Sequence, residues 1–227
     1  MNAERTYGLV LASQSPRRRH LMALLGLPFD VCPANVPEER RPGEPPAAFP
    51  QRLSQEKARA VATHLDSAIV VAADTVVVHR GEILGKPRGP EEAGAMLRRL
   101  RGERHRVLTG VTVVNAASGK MITELCDTFV WLRPMSDEEI DAYVASGDPL
   151  DKAAAYAIQN AEFAPVEKVV GCPANVMGLP MCHVVRNLRR LGVEVPSEAL
   201  PAQCEVRYGG YHCALTELVM PGAVRRW

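Results

Sequence analysis

Three short stretches of this chain carry residue types that can act on phosphate. The first is Ser13-Gln14-Ser15-Pro16-Arg17-Arg18, which lies between an apolar run and a helical pattern. A helix N-terminus has unpaired N–H groups and a partial positive charge, so it attracts anions. Two hydroxyls and two guanidiniums add donors suited to phosphate oxygens. A capped helix with solvated arginines accounts for the same residues equally well. The second stretch is Asp74-Thr75, inside an apolar run. A carboxylate there costs desolvation unless it is paired or binds a cation; a structural, hydrogen-bonded aspartate is the alternative. The third is Gly85-Lys86-Pro87, a lysine next to a proline. Asp151-Lys152 and Gln159 complete the polar set, while Lys57 and Glu38 are unremarkable in isolation. Carboxylates among several cations are the inventory of phosphoryl chemistry, which needs charge neutralisation, a divalent metal and a positioned water. There is no Walker A glycine loop and no kinase signature. The residues alone leave two options open, an enzyme acting on a phosphate ester or a binder of one.

These residues need elements to hold them. Residues 8–12 read as a short buried strand. Ser15 is a good N-cap and Pro16 suits the first helical position, with Leu21, Leu24 and Leu25 as the apolar face and Gly26 as the stop. Residues 33–46 are rich in proline and charge and read as an exposed loop. Helix is predicted over 50–65, with Leu53, Ala60 and Val61 inward. Residues 69–78 read as a buried strand or pair of strand segments, followed by a turn at 79–82. A helix follows over 90–100. Strands over 107–115 and 121–132 are joined by the hairpin signal Ala117-Ser118-Gly119. Ser136 to Glu139 has the capping-box pattern and opens a helix that stops near Gly147. Residues 151–158 read as helical, 166–170 as a strand and 178–191 as an amphipathic helix. The interspersed order places the chain in the mixed α/β class.

The 227 residues suffice for one sizeable domain or two small lobes with a shared core. With 47% hydrophobic and 23% charged residues, the composition is that of an ordinary globular protein. The net charge of +1 provides no global field toward nucleic acid or membrane. No apolar run is long enough to span a bilayer or to serve as a signal-peptide core, so a cytoplasmic location is expected. Six cysteines lack any Cys-x-x-Cys spacing and are expected to be reduced and mostly packed. Cys204, His212 and Cys213 are not expected to form a metal site, since no fourth ligand is evident.

The ordered motifs LASQSPRR (11–18), QEKARAVA (55–62), AADTVV (72–77), GEILGKP (81–87), EEAGAMLRRLRG (91–102), LTGV (108–111), LDKAAAYAIQ (150–159) and VMGLP (176–180) resemble the Maf family. The resemblance runs from about residue 7 to residue 192 and rests on many motifs in one order. It implies a Maf/ITPase-like fold, a curved mixed sheet with flanking helices and two lobes around a nucleotide cleft. It implies hydrolysis of a nucleoside triphosphate at the α-phosphorus, releasing pyrophosphate, with Mg²⁺ or alternatively Mn²⁺. On this resemblance Asp74 is the general base and a metal ligand, with Glu38 as the second metal-site residue. Arg17, Lys57 and Lys86 bind the triphosphate, and Ser13 and Arg18 lie in the same cradle.

Arg17, Thr75 and Gln159 together are similar to the family's dTTP/UTP pyrophosphatase branch rather than its 7-methyl-GTP branch. A glutamine amide can pair with the O4/N3 edge of uracil or thymine, which makes that branch chemically sensible. The chain departs from the family in Ala157-Ile158-Gln159-Asn160, where GIQG is usual, in residues 161–175, and in Phe129. The resemblance also implies a homodimer. One domain is expected over 1–195, with 196–227 as an extension that has no counterpart in the family. Three other readings are weighed, the nearest being the same reaction on 7-methyl-GTP or another modified nucleotide. A non-catalytic nucleotide-binding regulator of cell division is disfavoured by the intact Asp74, Lys57 and Lys86. A nucleic-acid module built on residues 17–19 is disfavoured by balanced charge and only 5% aromatic residues.

Overall fold

A computed structural model describes residues 8–196. The expected extension after residue 196, including Cys204, His212 and Cys213, lies outside the described residues. The fold is mixed α/β, built on a curved seven-stranded sheet in the order β2-β1-β3-β5-β6-β7, with β4 paired to β3. β1 (Gly8–Leu11) runs parallel to both β2 (Asp30–Val31) and β3 (Ala68–His79). β3, β5 (Arg104–Asn115), β6 (Met121–Leu132) and β7 (Val166–Val170) follow as an antiparallel series.

The central strands explain their own sequences. β3 and β5 are covered on both faces, so β3 reads as a nearly unbroken apolar run, and β5 is buried from Val107 to Asn115 with Thr109 and Thr112 inside it. β6 alternates between buried and half-buried positions over its second half, as a strand with one open face does. The run over 69–78 is one continuous strand, not two segments, and it turns at Arg80-Gly81 into β4 (Glu82–Leu84). Both turn residues have positive φ, 50° and 85°, which matches the twist of a two-residue hairpin.

β3 is longer than either neighbour on its outer edge. β1 pairs with it only as far as Val71, and β4 pairs with it only from Val77 onward. A gap is left beside residues 72–76. The chain leaves β1 into the Ser13–Arg18 stretch and leaves β4 into Gly85-Lys86, so both motif loops start at that gap. Ligand crevices in open sheets form at such changes of strand neighbour.

Helices cover both faces. α1 (Pro16–Ala23) begins as expected, with the Ser15 side chain accepting from the Arg18 N–H and Pro16 in the first turn. α2 (Ala48–Ala62) lies two to three residues ahead of the predicted 50–65 and packs across β3 and β5. Gly110 permits its close approach, because a Cβ there would stand 2.3 Å from the Pro50 carbonyl oxygen. Gly110→Ala is therefore expected to push α2 off the sheet and cost about 1–3 kcal/mol, the usual cost of overpacking. Urea unfolding of the variant measures this, and an unchanged midpoint would contradict it.

The opposite face holds two apolar clusters. One joins β1, β3 and β5 to α1 and α6 (Met181–Arg190) through Leu11, Leu21, Ile69, Val113, Val184 and Leu188. The other gathers Val77, Leu97, Val107, Leu132, Ile140 and Tyr143 under α3 (Pro90–Leu100) and α4 (Asp137–Ala145). These are the two lobes, and the capping box of Ser136 and Glu139 is formed at the start of α4.

Two predicted elements differ. Residues 151–158 are not a helix. Two 3₁₀ turns, Asp148–Asp151 and Ala153–Ala155, end in extended backbone at Tyr156. Ala154 and Ala155 have φ of 60° and 59°, which an α-helix cannot contain. The last helix starts at Met181, not residue 178, because a separate turn of helix, α5 (Pro173–Val176), ends at Gly178 with φ of 104°. The 33–46 segment is the expected, mostly exposed loop, with Glu44 its buried residue at 9% exposed.

Glu44 holds that loop to α2. Its carboxylate accepts from Arg52 at 2.6 and 2.8 Å and from the Arg41 N–H at 3.1 Å. The Arg52 hydrogen bonds outweigh burial and bring the Glu44 pKa down to about 2. A depressed carboxylate contributes stability above its unfolded pKa and loses it as pH falls through the folded value. The Glu44–Arg52 pair is therefore expected to add about 2 kcal/mol at pH 7. The Tm advantage of the native chain over Glu44→Gln should persist down to about pH 4.5 and vanish near pH 2. An advantage independent of pH would refute this origin.

Candidate active site

One cavity of about 490 Å³ opens at the gap in the sheet, and Ser13, Arg17, Arg18, Glu38, Lys57, Asp74, Thr75, Lys86 and Gln159 all line it. These nine predicted site residues thus border one space. They come from both lobes and from both faces of β3.

Asp74 and Thr75 are consecutive, so their side chains leave β3 on opposite faces. Asp74 points to the α2 side and is 7% exposed. The Lys57 ammonium, from the buried face of α2, donates to Asp74 Oδ1 at 2.7 Å. It also pairs with Glu38 Oε1 at 2.5 Å, so one lysine bridges the two carboxylates. Burial pushes the Glu38 carboxyl up, but the Lys57 hydrogen bond and the Lys57, Lys86 and Arg18 charges hold it below the ordinary range. Glu38 is on the 33–46 loop, and the Glu44–Arg52 clamp keeps that loop beside α2.

Thr75 points the other way. Its hydroxyl is 2.9 Å from that of Thr109, its cross-strand partner, and accepts from Arg18 Nη2 at 3.1 Å. Arg18 Nε donates to the Gly178 carbonyl at 2.8 Å. A Cβ at Gly178 would meet both Arg18 Nε and Thr75 Oγ1 at 3.3 Å, so the close fit and positive φ both favour glycine. Burial lowers the Arg18 pKa, and Asp74 and Glu38 oppose that shift. Arg18 remains a cation held by a carbonyl and a hydroxyl.

Ser13 is buried at the end of β1, and its Oγ accepts from the Ser15 N–H at 3.2 Å. Arg17 Nη1 stands 3.9 Å from Asp151 Oδ2. Lys86 and Gln159 are exposed at the cavity wall. Cations therefore arrive from α1, α2 and the loop after β4, and two carboxylates converge on one ammonium. Such a space can take a polyanion and place a carboxylate beside it.

Sequence reading missed the supports. Thr109 and Asn175 are fully buried, and Asn175 donates to the Val107 carbonyl and Thr128 Oγ1, both at 2.9 Å. A threonine within the apolar run of β5 was a signal, but its partnership with Thr75 needs the strand register. Tyr156, also in the wall, is bonded to His105 Nε2 at 2.7 Å; burial brings the His105 pKa down to about 3, so this imidazole stays neutral.

Among the described residues, no helix is long and apolar enough to cross a membrane, and no three His, Cys, Asp or Glu side chains form a group able to hold a metal ion. Curated proteins similar to this chain are named dTTP/UTP pyrophosphatase. That of Geobacter sulfurreducens is 48% identical over 184 residues, covering 81% of this chain and 96% of its own length. That of Anaeromyxobacter dehalogenans strain 2CP-C is 51% identical over 192 residues, covering 84% and 97%. That of Methanosarcina barkeri is 46% identical over 193 residues, covering 85% and 98%. The family model described as "Maf-like protein" matches residues 8–191, the whole span that builds the sheet and lines the cavity, and this chain belongs to that Maf family.

Proposed function

We propose that this chain is a nucleoside triphosphate pyrophosphatase of the dTTP/UTP branch, cleaving dTTP and UTP to the monophosphate and pyrophosphate. The observation that carries the reading is the pairing of a buried carboxylate, Asp74, with a ring of cations in one cavity. Relatives at 46–51% identity that carry the name dTTP/UTP pyrophosphatase support it.

Asp74 orients a water and takes its proton as the water oxygen attacks the α-phosphorus. The bond from that phosphorus to the bridging oxygen breaks, and pyrophosphate leaves with the electron pair. Lys57, Lys86, Arg17 and Arg18 stabilise the charge that grows on the leaving group, which is where such donors act most strongly. The Ser13 stretch adds hydroxyl and N–H donors. Gln159 and Thr75 meet the base end, and a uracil or thymine edge matches the Gln159 amide.

Asp74 and Glu38 fit a divalent cation by the chemistry of their oxygens. Lys57 engages one oxygen of each, so the two carboxylates already face a common point. Two carboxylates completed by substrate phosphates and water are the usual donor set for Mg²⁺, which seldom has an all-protein cage. When bound, Mg²⁺ or Mn²⁺ neutralises charge on the triphosphate. The proposal extends to a cytoplasmic homodimer that does not bind nucleic acid. Balanced charge supports the last point, and light scattering tests the dimer.

Pyrophosphate release from dTTP, UTP, CTP, GTP, ATP and 7-methyl-GTP with Mg²⁺ tests the function. Release chiefly from dTTP and UTP is expected. Release only from another nucleotide would keep the chemistry and overturn the branch. Binding without release would return the reading to a nucleotide-binding regulator.

A further inference from the structure

The cavity wall from Asp151 to Gln159 has almost no regular structure to hold it. Only Ala154 and Ala155 of this stretch do not face the cavity, and both are in the left-handed region at φ of 60° and 59°. Such backbone persists only where the surroundings over-determine it. One anchor is the Ala154 N–H, which donates to the Gly85 carbonyl at 2.9 Å, next to Lys86. Another is the Tyr156 hydroxyl, 2.7 Å from His105 Nε2, and the remaining side-chain ties converge on one residue outside the cavity, Asp148.

Asp148 Oδ1 accepts from the Lys152 ammonium at 2.9 Å. Asp148 Oδ2 accepts from the Tyr143 hydroxyl at 2.6 Å and from Asn160 Nδ2 at 3.1 Å. The Tyr143 oxygen accepts in turn from the Ala157 N–H at 3.2 Å. Asn160 Oδ1 accepts from the Phe163 N–H at 2.8 Å, and the Phe163 ring stacks on Tyr143 at 4.0 Å. The carboxylate thus ties the start of the wall at Lys152, its middle at Ala157 and its end at Asn160, the residue after Gln159. Burial pushes the Asp148 carboxyl up, but bonds from Tyr143, Lys152 and Asn160 hold it below its ordinary value, so it is charged at neutral pH. Lys152 reaches Asp151 Oδ1 at 2.7 Å as well, and Asp151 faces Arg17.

We infer that Asp148 is the positioning residue of the base-reading wall, a carboxylate clamp that sets Gln159 through Asn160 and Tyr143. The inference rests on the proposed reading of Gln159 as the base contact. Asp148 does not touch the cavity, so it acts through these neighbours. Asn160 stands where the family usually has glycine, so the third tie belongs to this chain's version of the wall.

An amide cannot serve three donors as a carboxylate does, because its own NH₂ meets a donor. Asp148→Asn is therefore expected to raise KM for UTP and dTTP about tenfold while kcat changes less than about threefold. UTP binding in EDTA, read by calorimetry, should weaken by a similar factor, and the preference for UTP over CTP should fall with it. Asp148→Glu should restore at least half of the lost preference. Asn160→Ala removes one tie, should cost about threefold, and keeps the test alive where Asp148→Asn does not fold. An unchanged UTP preference in both Asp148→Asn and Asn160→Ala would overturn the clamp. So would a collapse of kcat with unaltered binding, or a native chain that binds UTP and CTP alike. A native chain that prefers UTP in EDTA but releases no pyrophosphate would remove the enzymatic reading, and the binding ratios would still decide the clamp.

Discussion

Replacing Asp74 with asparagine is expected to lower kcat for UTP by about a thousandfold, within the range that general-base residues supply. The side chain keeps its shape, so the change isolates the charge and the proton-accepting oxygen. Its surroundings should hold. Asp74 is paired in register with Gly110 in the middle of the long antiparallel ladder between β3 and β5. Lys57 keeps Glu38 as a partner at 2.5 Å, so no cation is left stranded. Stability should fall by only about 1 kcal/mol, the size of one hydrogen bond. Steady-state pyrophosphate release together with urea unfolding separates the two effects. Turnover within tenfold of the native chain, in a variant that folds, would remove Asp74 from the chemistry.

Lys57→Met is the second large effect, and it should act on both activity and stability. The lysine side chain is 8% exposed and faces an Asp74 side chain that is 9% exposed. Methionine fills the space but leaves two carboxylates facing each other without a cation. Breaking one partner out of a buried pair costs about 3–5 kcal/mol. Glu38 is 61% exposed and can turn toward water, so the lower end, about 3 kcal/mol, is expected here. The Glu38 carboxyl is depressed partly by Lys57, so the stability gap should be full above about pH 4.5 and close as pH falls below it. On activity, loss of one cation at a developing negative charge is expected to lower kcat/KM by about a hundredfold or more. Circular-dichroism melts from pH 3 to pH 8, with pyrophosphate release at neutral pH, measure both. A destabilised variant with native kcat/KM would make Lys57 a structural pair and nothing more.

Much of the frame was legible in the residues. β3 announces itself because burial on both faces demands a nearly unbroken apolar run, and β5 does so through the β-branched stretch that follows Arg106. Ser15-Pro16 and Ser136 to Glu139 mark helix starts because the orphan N–H groups of a first turn need side-chain acceptors. The misread stretch at 151–158 is equally instructive. Its alanines favour helix, yet the Ala154 N–H goes to Gly85 and the Ala157 N–H goes to the Tyr143 hydroxyl. Both partners are distant in sequence, so no local pattern could reveal that they outcompete a helical ladder.

By itself the sequence determined the family, the strands and helix starts, and the set of charged groups available for phosphate chemistry. It could not determine where those groups meet. Alternation along β3 sends Asp74 and Thr75 to opposite faces, and only the gap between the end of β1 and the start of β4 lets both border one cavity. Lys57 becomes a partner of Asp74 only because Gly110 lets α2 settle against the sheet. Strand neighbours and helix approach depend on contacts between residues far apart in the chain, and those exist only once the whole sheet has closed around them.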